Sequence, residues 1–272
     1  QVYLAKDRPI KTGFKVLVLF IISIAFILGF SVKQTVITLP LMLLLYFLFG
    51  QEPESSSIRW LNKWKWKIGF IVLVGIILLF YKLLTDESFL IGPSSAGEDI
   101  GRLNYMLTQP FVIVCYYVKL LVFPINLNID PDILLVTEWW SWKFITALTG
   151  IAGLIYFSCR VKEKLLLLYF IFWFLIVLSP SSSIITLGDL AAEHRTYLAS
   201  YSFYAAVAFC VYKVPHLVYS AHPKKSRNIA LAISIFISVI FSVLTIQRNK
   251  IWASEVSLWA DTLKKSPQKV RP

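Results

Sequence analysis

The sequence is poor in charge, and poorest in acid. Only 15% of its 272 residues are charged, and 15 Asp and Glu stand against 27 Lys and Arg. A soluble domain carries about a quarter charged residues. That shortage argues against a soluble globular chain. There are three cysteines, Cys115, Cys159 and Cys210, with no paired spacing. A disulfide framework and a Cys-based metal site are therefore not expected. The chain has no Gly-rich phosphate loop, no HExxH and no CxxC, and its histidines and serines fall in no spacing from which a catalytic triad can be argued. Period-2 alternation is also missing, which argues against a membrane β-barrel. No metal and no bound cofactor is expected.

The apolar content comes in blocks, with 57% hydrophobic residues overall. Residues 14–30 carry one charge, Lys15 at the edge. In lipid every backbone polar group must be paired internally, so such blocks are helices. The expected fold class is all-α, a polytopic transmembrane bundle. Seven spans are expected, near 14–30, 35–50, 67–84, 143–158, 164–179, 196–213 and 228–246, each close to the ~17–25 residues a crossing needs. The chain opens on Gln1 and ends on Arg271-Pro272. It reads as an internal piece of a longer polypeptide.

The net charge of +12 fits a membrane partner better than nucleic acid, because Lys and Arg gather in the loops of one side. Four fall at Lys6, Arg8, Lys11 and Lys15, and four at Arg59, Lys63, Lys65 and Lys67. Three more fall at Arg160, Lys162 and Lys164, and four at Lys213, Lys224, Lys225 and Arg227. These groups alternate with loops poor in cations. The positive-inside rule then puts the N-terminus in the cytoplasm and the C-terminal tail outside. The segment 107–124 breaks this alternation if it crosses. It is expected to be an interfacial or partly re-entrant helix on the outer side.

The outer loops collect the acids, among them Asp189 and Glu193, and the tryptophans Trp139, Trp140 and Trp142, placed like an interfacial belt. The sharpest local pattern runs from Ser179-Pro180 to Asp189 and Glu193-His194-Arg195. Three ionisable residues at a membrane boundary are costly unless paired or functional. Arg195 offers a planar fork of donors to a phosphate. Glu193, His194 and Asp189 can orient it, or the group is a salt bridge that fixes the hairpin. Lys33 is the only charge on the turn at 31–35 and either holds a lipid phosphate or anchors in headgroups. Arg102, near Glu98 and Asp99, is a third candidate, with a plain loop salt bridge as the alternative. In the tail, Trp252, Val256 and Trp259 recur at i, i+4 and i+7 and form one apolar helix face.

The order of these features resembles the polytopic membrane O-mannosyltransferase-like proteins that carry C-terminal tetratricopeptide repeats, and their bacterial relatives. The likeness rests on Val32-Lys33-Gln34 through Pro40, Arg102 through Gln109 and Phe123 to Asp130. It continues with Ser179-Pro180 through Glu193-His194-Arg195-Thr196-Tyr197-Leu198, and with Arg248 through Trp259 to Ser266-Pro267. Gln34 departs from it, standing where the family often has Glu. The resemblance implies a GT-C-like bundle over 1–246, followed over 247–272 by an extracytoplasmic linker helix leading into repeats. It also implies a glycosyltransferase of the bacterial inner membrane. Its donor would be a polyprenyl-phosphate-linked sugar and its acceptor an external protein or glycan. The family's acidic base lies in a first outer loop that would precede Gln1. What remains here is the donor side, with Arg195, Lys33 and Arg102 as phosphate contacts. A non-catalytic anchor that presents the repeats to partners is the alternative.

Overall fold

The computed structural model describes residues 34–49, 101–182, 187 and 189–267, together with residues 21, 24–26, 28, 29 and 32. The chain divides into two units, Gln1–Thr85 and Asp86–Pro272. Among the described residues every regular element is helical.

In the first unit a 3₁₀ turn, Gln34–Thr38, leads into helix α1, Leu39–Phe49. Thr38 is buried and donates to the Thr35 carbonyl at 2.8 Å, which tightens the turn. The apolar stretch Thr35–Tyr46 is shorter than a membrane crossing needs. The full span expected at 35–50 is thus not seen over the described residues. The expected span at 67–84 and candidate Lys33 lie outside them.

The second unit is built on four helices in chain order: α3 (Trp142–Arg160), α4 (Lys164–Leu178), α5 (Thr196–Val218) and α6 (Pro223–Ile251). Each packs on the next. Short turns join α3 to α4 and α5 to α6, so the row runs up and down. Trp173 of α4 lies between Tyr169 and Tyr201, with ring centroids 5.7 and 5.9 Å away, which ties α4 to α5. Tyr204 and Phe241, 5.8 Å apart, tie α5 to α6.

Among the described residues four helices are long and apolar enough to cross a membrane: Arg102–Val122, Trp142–Arg160, Lys164–Ser181 and Pro223–Ile251. α5 has the length, at 23 residues, but Tyr197, Tyr201, Tyr204, Tyr212 and Lys213 dilute its apolar content. Large apolar side chains such as Phe157, Leu217, Leu231 and Phe236 point outward along the row. In water such a surface would be an aggregation liability; in lipid it is ordinary. The second unit therefore reads as a helical membrane protein.

Helix α2, Arg102–Val122, is the piece expected to be interfacial. Pro110 sits inside it and cannot donate to the preceding turn. The next residues, Val112–Tyr117, adopt π-helical geometry. An inserted residue of this kind re-registers the two halves. Tyr105, Val112, Tyr117 and Leu120 are buried along one stripe. Polar contacts fix that stripe over its whole length. Tyr105 donates to the Ser181 carbonyl at 2.6 Å, and Gln109 Nε2 to the Leu190 carbonyl at 3.0 Å. The Tyr117 hydroxyl accepts from the Ala192 amide at 3.3 Å, and Tyr204 donates to the Leu121 carbonyl at 3.1 Å. Phe111 meets Trp142 edge-on at 6.3 Å. These partners are the start of α3, the end of α4, the 189–192 loop and the early turns of α5. All belong to one end of the row, so α2 lies across that end although it is long enough to cross.

Candidate functional site

This interlocked end also gathers the buried charge. α4 closes in a 3₁₀ turn, Ser179–Ser181, set by Pro180. The chain returns through a second 3₁₀ turn, Glu193–Arg195, into α5. Thr196 donates to the Glu193 carbonyl at 2.7 Å and closes that turn. Glu193 and Arg195 are therefore fixed two residues apart on a tight bend.

Arg195 points back under the loop. Its Nη2 donates to the Asp189 carbonyl at 3.0 Å, and the guanidinium lies beside the Tyr105 phenol. Its Nη1 is buried and has no hydrogen-bond partner among the described residues. The Ser182 hydroxyl and Gln109 Oε1 are in the same condition. A buried polar atom left unpaired costs about 1–3 kcal/mol. Arg195 Nη1 and the Ser182 hydroxyl leave donor capacity, and Gln109 Oε1 leaves acceptor capacity, for a ligand or water on the segments that meet at one loop.

Glu193 turns the other way. Its Oε2 receives Arg248 Nη2 at 3.1 Å, while Arg248 Nη1 reaches Asp261 Oδ2 at 3.2 Å. Lys265 joins Asp261 at 2.7 Å. Arg248 and Lys265 also donate to the Leu127 carbonyl, at 3.1 and 2.7 Å. Arg248 is the hub: its side chain is only 11% exposed. Burial holds the Glu193 carboxyl above its ordinary range, against the pull of the Arg248 charge. Nearby, Asn128 Nδ2 donates to Ser266 Oγ at 2.7 Å, and that oxygen also accepts from the Asp132 amide at 3.1 Å. Positive φ at Asn126, 55°, lets the chain turn into this contact.

The network attaches the last helix, α7 (Glu255–Lys265), to the loop after α2. α7 starts on a capping box between Ser254 and Ser257. The apolar face expected from Trp252, Val256 and Trp259 is not the packing face. Val256 is 80% exposed and Trp252 and Trp259 are exposed as well, while Leu258 and Thr262 are buried. That apolar side stays open, as an interfacial helix would leave it, while the docking side of α7 uses charge and a serine.

The structure thus separates the candidate residues. Arg195 and Asp189 meet, and Glu193 belongs to the Arg248 network instead. His194 is exposed between them. Arg102 begins α2, half-buried, one turn before Tyr105, with no hydrogen bond or ion pair among the described residues. Tyr105 and Gln109, on the same helix, are packed against the hairpin. Sequence reasoning did not single out Arg248, Asp261, Lys265 or Tyr105 as site residues. The available signal was an arginine at the exit of a long apolar run, which seeks a buried acid. Among the described residues no group of His, Cys, Asp and Glu has metal-binding geometry.

No family model, no curated protein and no solved structure matches this chain.

Proposed function

We propose that this chain is the donor-side part of a membrane-embedded, GT-C-like glycosyltransferase. In this reading the interlocked end is extracytoplasmic and α2 lies along the outer interface. A polyprenyl phosphate keeps its tail in lipid and brings its phosphate to that level. Arg195 is the principal contact. The observation that carries the reading is its guanidinium, anchored through Nη2 on the Asp189 carbonyl and lying beside the Tyr105 phenol, with Nη1 buried and without a hydrogen-bond partner among the described residues. A phosphate oxygen would satisfy that nitrogen by a charge-assisted bond. In transfer, the same cation would stabilise the phosphate as it leaves the sugar. Arg102, one turn from Tyr105, is a secondary contact. The sugar acceptor, a protein or glycan, would approach from outside. Glu193 is held by Arg248 and is not assigned as the base.

The test is sugar transfer in membranes by the full-length protein. Arg195→Ala should abolish transfer while insertion stays normal; unchanged transfer sinks the assignment.

A second reading, a non-catalytic anchor presenting tetratricopeptide repeats, is favoured by one observation. The polar face of α7 is committed to docking through Asp261 and Lys265. It predicts that Arg195→Ala is silent while Arg248→Met frees the tail.

A further inference from the structure

The opposite end of the helix row carries a second feature, independent of the donor-site reading. Here the α3–α4 turn holds Lys162 and Lys164, the end of α5 holds Lys213, and the start of α6 holds Lys224, Lys225 and Arg227. The two turns are neighbours. Lys213 Nζ meets Glu163 at 2.7 Å across them, and His216 Nδ1 of α5 lies 3.4 Å from the buried Ser226 hydroxyl of α6. Apart from Lys213 these cations are exposed.

Their arrangement runs against helix electrostatics. α4 and α6 both begin at this end, so both direct unpaired backbone N–H groups and positive dipole ends there. Neither has a side-chain cap, and neither has an acid in its first turn. α6 instead places Lys224, Lys225 and Arg227 in and beside its first turn, where cations are unfavourable. The only acid of these two turns, Glu163, is taken by Lys213, which holds its carboxyl below the ordinary range. Glu163 stands at the N-cap position of α4 and is paired with Lys213, so the positive helix end that lacks an anion is that of α6, whose N-cap position is His222 and is followed by three cations. The neighbouring side chains place that anion at a membrane surface. Arg160 stacks on Tyr156 at 4.7 Å and Lys225 on Tyr219 at 4.5 Å, each aromatic at the end of an apolar helix. Aromatic and basic residues paired at such a position mark the headgroup level.

We propose that this end is a binding surface for anionic phospholipid headgroups. The phosphodiester would sit over the start of α6, held by Lys224, Lys225 and Arg227. Arg160, Lys162 and Lys164 would hold neighbouring headgroups.

The experiment uses the purified full chain in nanodiscs of phosphatidylcholine alone or mixed with phosphatidylglycerol. The readouts are thermal stability and lipid retained on release into the mass spectrometer. Phosphatidylglycerol should raise the melting temperature and be retained in preference to phosphatidylcholine. Lys224→Gln/Lys225→Gln/Arg227→Gln should lower that preference by about tenfold or more, since each cation near a charged surface contributes materially to attraction. Lys224→Arg/Lys225→Arg should keep it, which guards against simple misfolding. Lys250→Gln/Lys264→Gln, at the other end, should leave it unchanged. Equal retention of the two lipids, or full retention by the triple variant, overturns the proposal. The same stabilisation by millimolar glycerol phosphate in phosphatidylcholine discs also overturns it, since the surface would then take a soluble anion.

Discussion

The two ends of one helix row solve the problem of charge in opposite ways. At the α2 end, Arg248, Lys265, Glu193 and Asp261 are largely buried and paired, and the Arg248–Glu193 pair joins segments 55 residues apart in sequence. At the other end most of the cations are exposed, and the one cross-turn pair, Lys213–Glu163, is partly open to solvent. The difference teaches where structure depends on electrostatics. A buried pair is worth little as a net gain, yet losing one partner strands the other. An exposed pair is screened and contributes little either way.

The largest expected effect is therefore at Arg248. Arg248→Met leaves Glu193 unpaired in a half-dry site and Asp261 with Lys265 alone, and should destabilise the second unit by about 3 kcal/mol. Chemical unfolding in detergent would measure it, with α7 released first and detected by proteolysis after Lys264. A silent substitution would erase the contrast between the ends. Next is Thr108, fully buried, whose hydroxyl receives the Val136 amide at 2.9 Å while donating to the Asn104 carbonyl. Thr108→Val should cost about 1–3 kcal/mol by stranding that amide, read by the same unfolding series.

A smaller effect is pH-dependent. Because burial raises the Glu193 pKa from its ordinary 4.5, the folded state holds that proton more tightly than the unfolded state. Its contribution is then most favourable below the ordinary value and is lost as pH rises through the raised one. Against Glu193→Gln, the wild type should lose relative stability as pH climbs from about 4.5 toward neutrality. Melting curves that diverge the other way would mean that Arg248 outweighs burial. The smallest effect is expected at Lys213→Ala, where thermal melting should show no resolvable change. A large loss there would show that the basic end is also built on ion pairs.

The side of each end is checked by impermeant thiol labelling, after Cys115, Cys159 and Cys210, all exposed, have been replaced. Cysteines at His194 and Lys224, which are both exposed, should label from outside and not from outside, respectively. Ser182 and Ser226 would be poor reporters because both are buried.

Much of the helix row was legible in the sequence. The span at 143–158 falls within α3, that at 164–179 matches α4 to one residue, and the span at 228–246 lies inside α6, because uninterrupted apolar runs have one structural outcome in lipid. α5 was legible as a helix although its tyrosines weaken the apolar signal. The attachment of α2 across one end was not readable. It depends on single hydrogen bonds from Tyr105, Gln109 and Tyr117 to carbonyls and an amide some 75–81 residues away, and no local pattern encodes such partners. For the same reason Arg195 could be chosen from its place at a membrane boundary, but the division of labour between Arg195 and Glu193 could not. That division follows from Arg248, which comes 55 residues after Glu193.

The proposed role of Arg195 is to present Nη1, which has no hydrogen-bond partner among the described residues, to a lipid-borne phosphate at the interlocked end. Its most direct test is retention of a polyprenyl phosphate by the purified chain, wild type against Arg195→Gln, with the uncharged polyprenol as control. The wild type should retain the phosphate over the alcohol, and Arg195→Gln should lower this preference by roughly 10–100-fold, the worth of a charge-assisted bond. Equal retention of phosphate and alcohol by the wild type, or of the phosphate by both proteins, would contradict it.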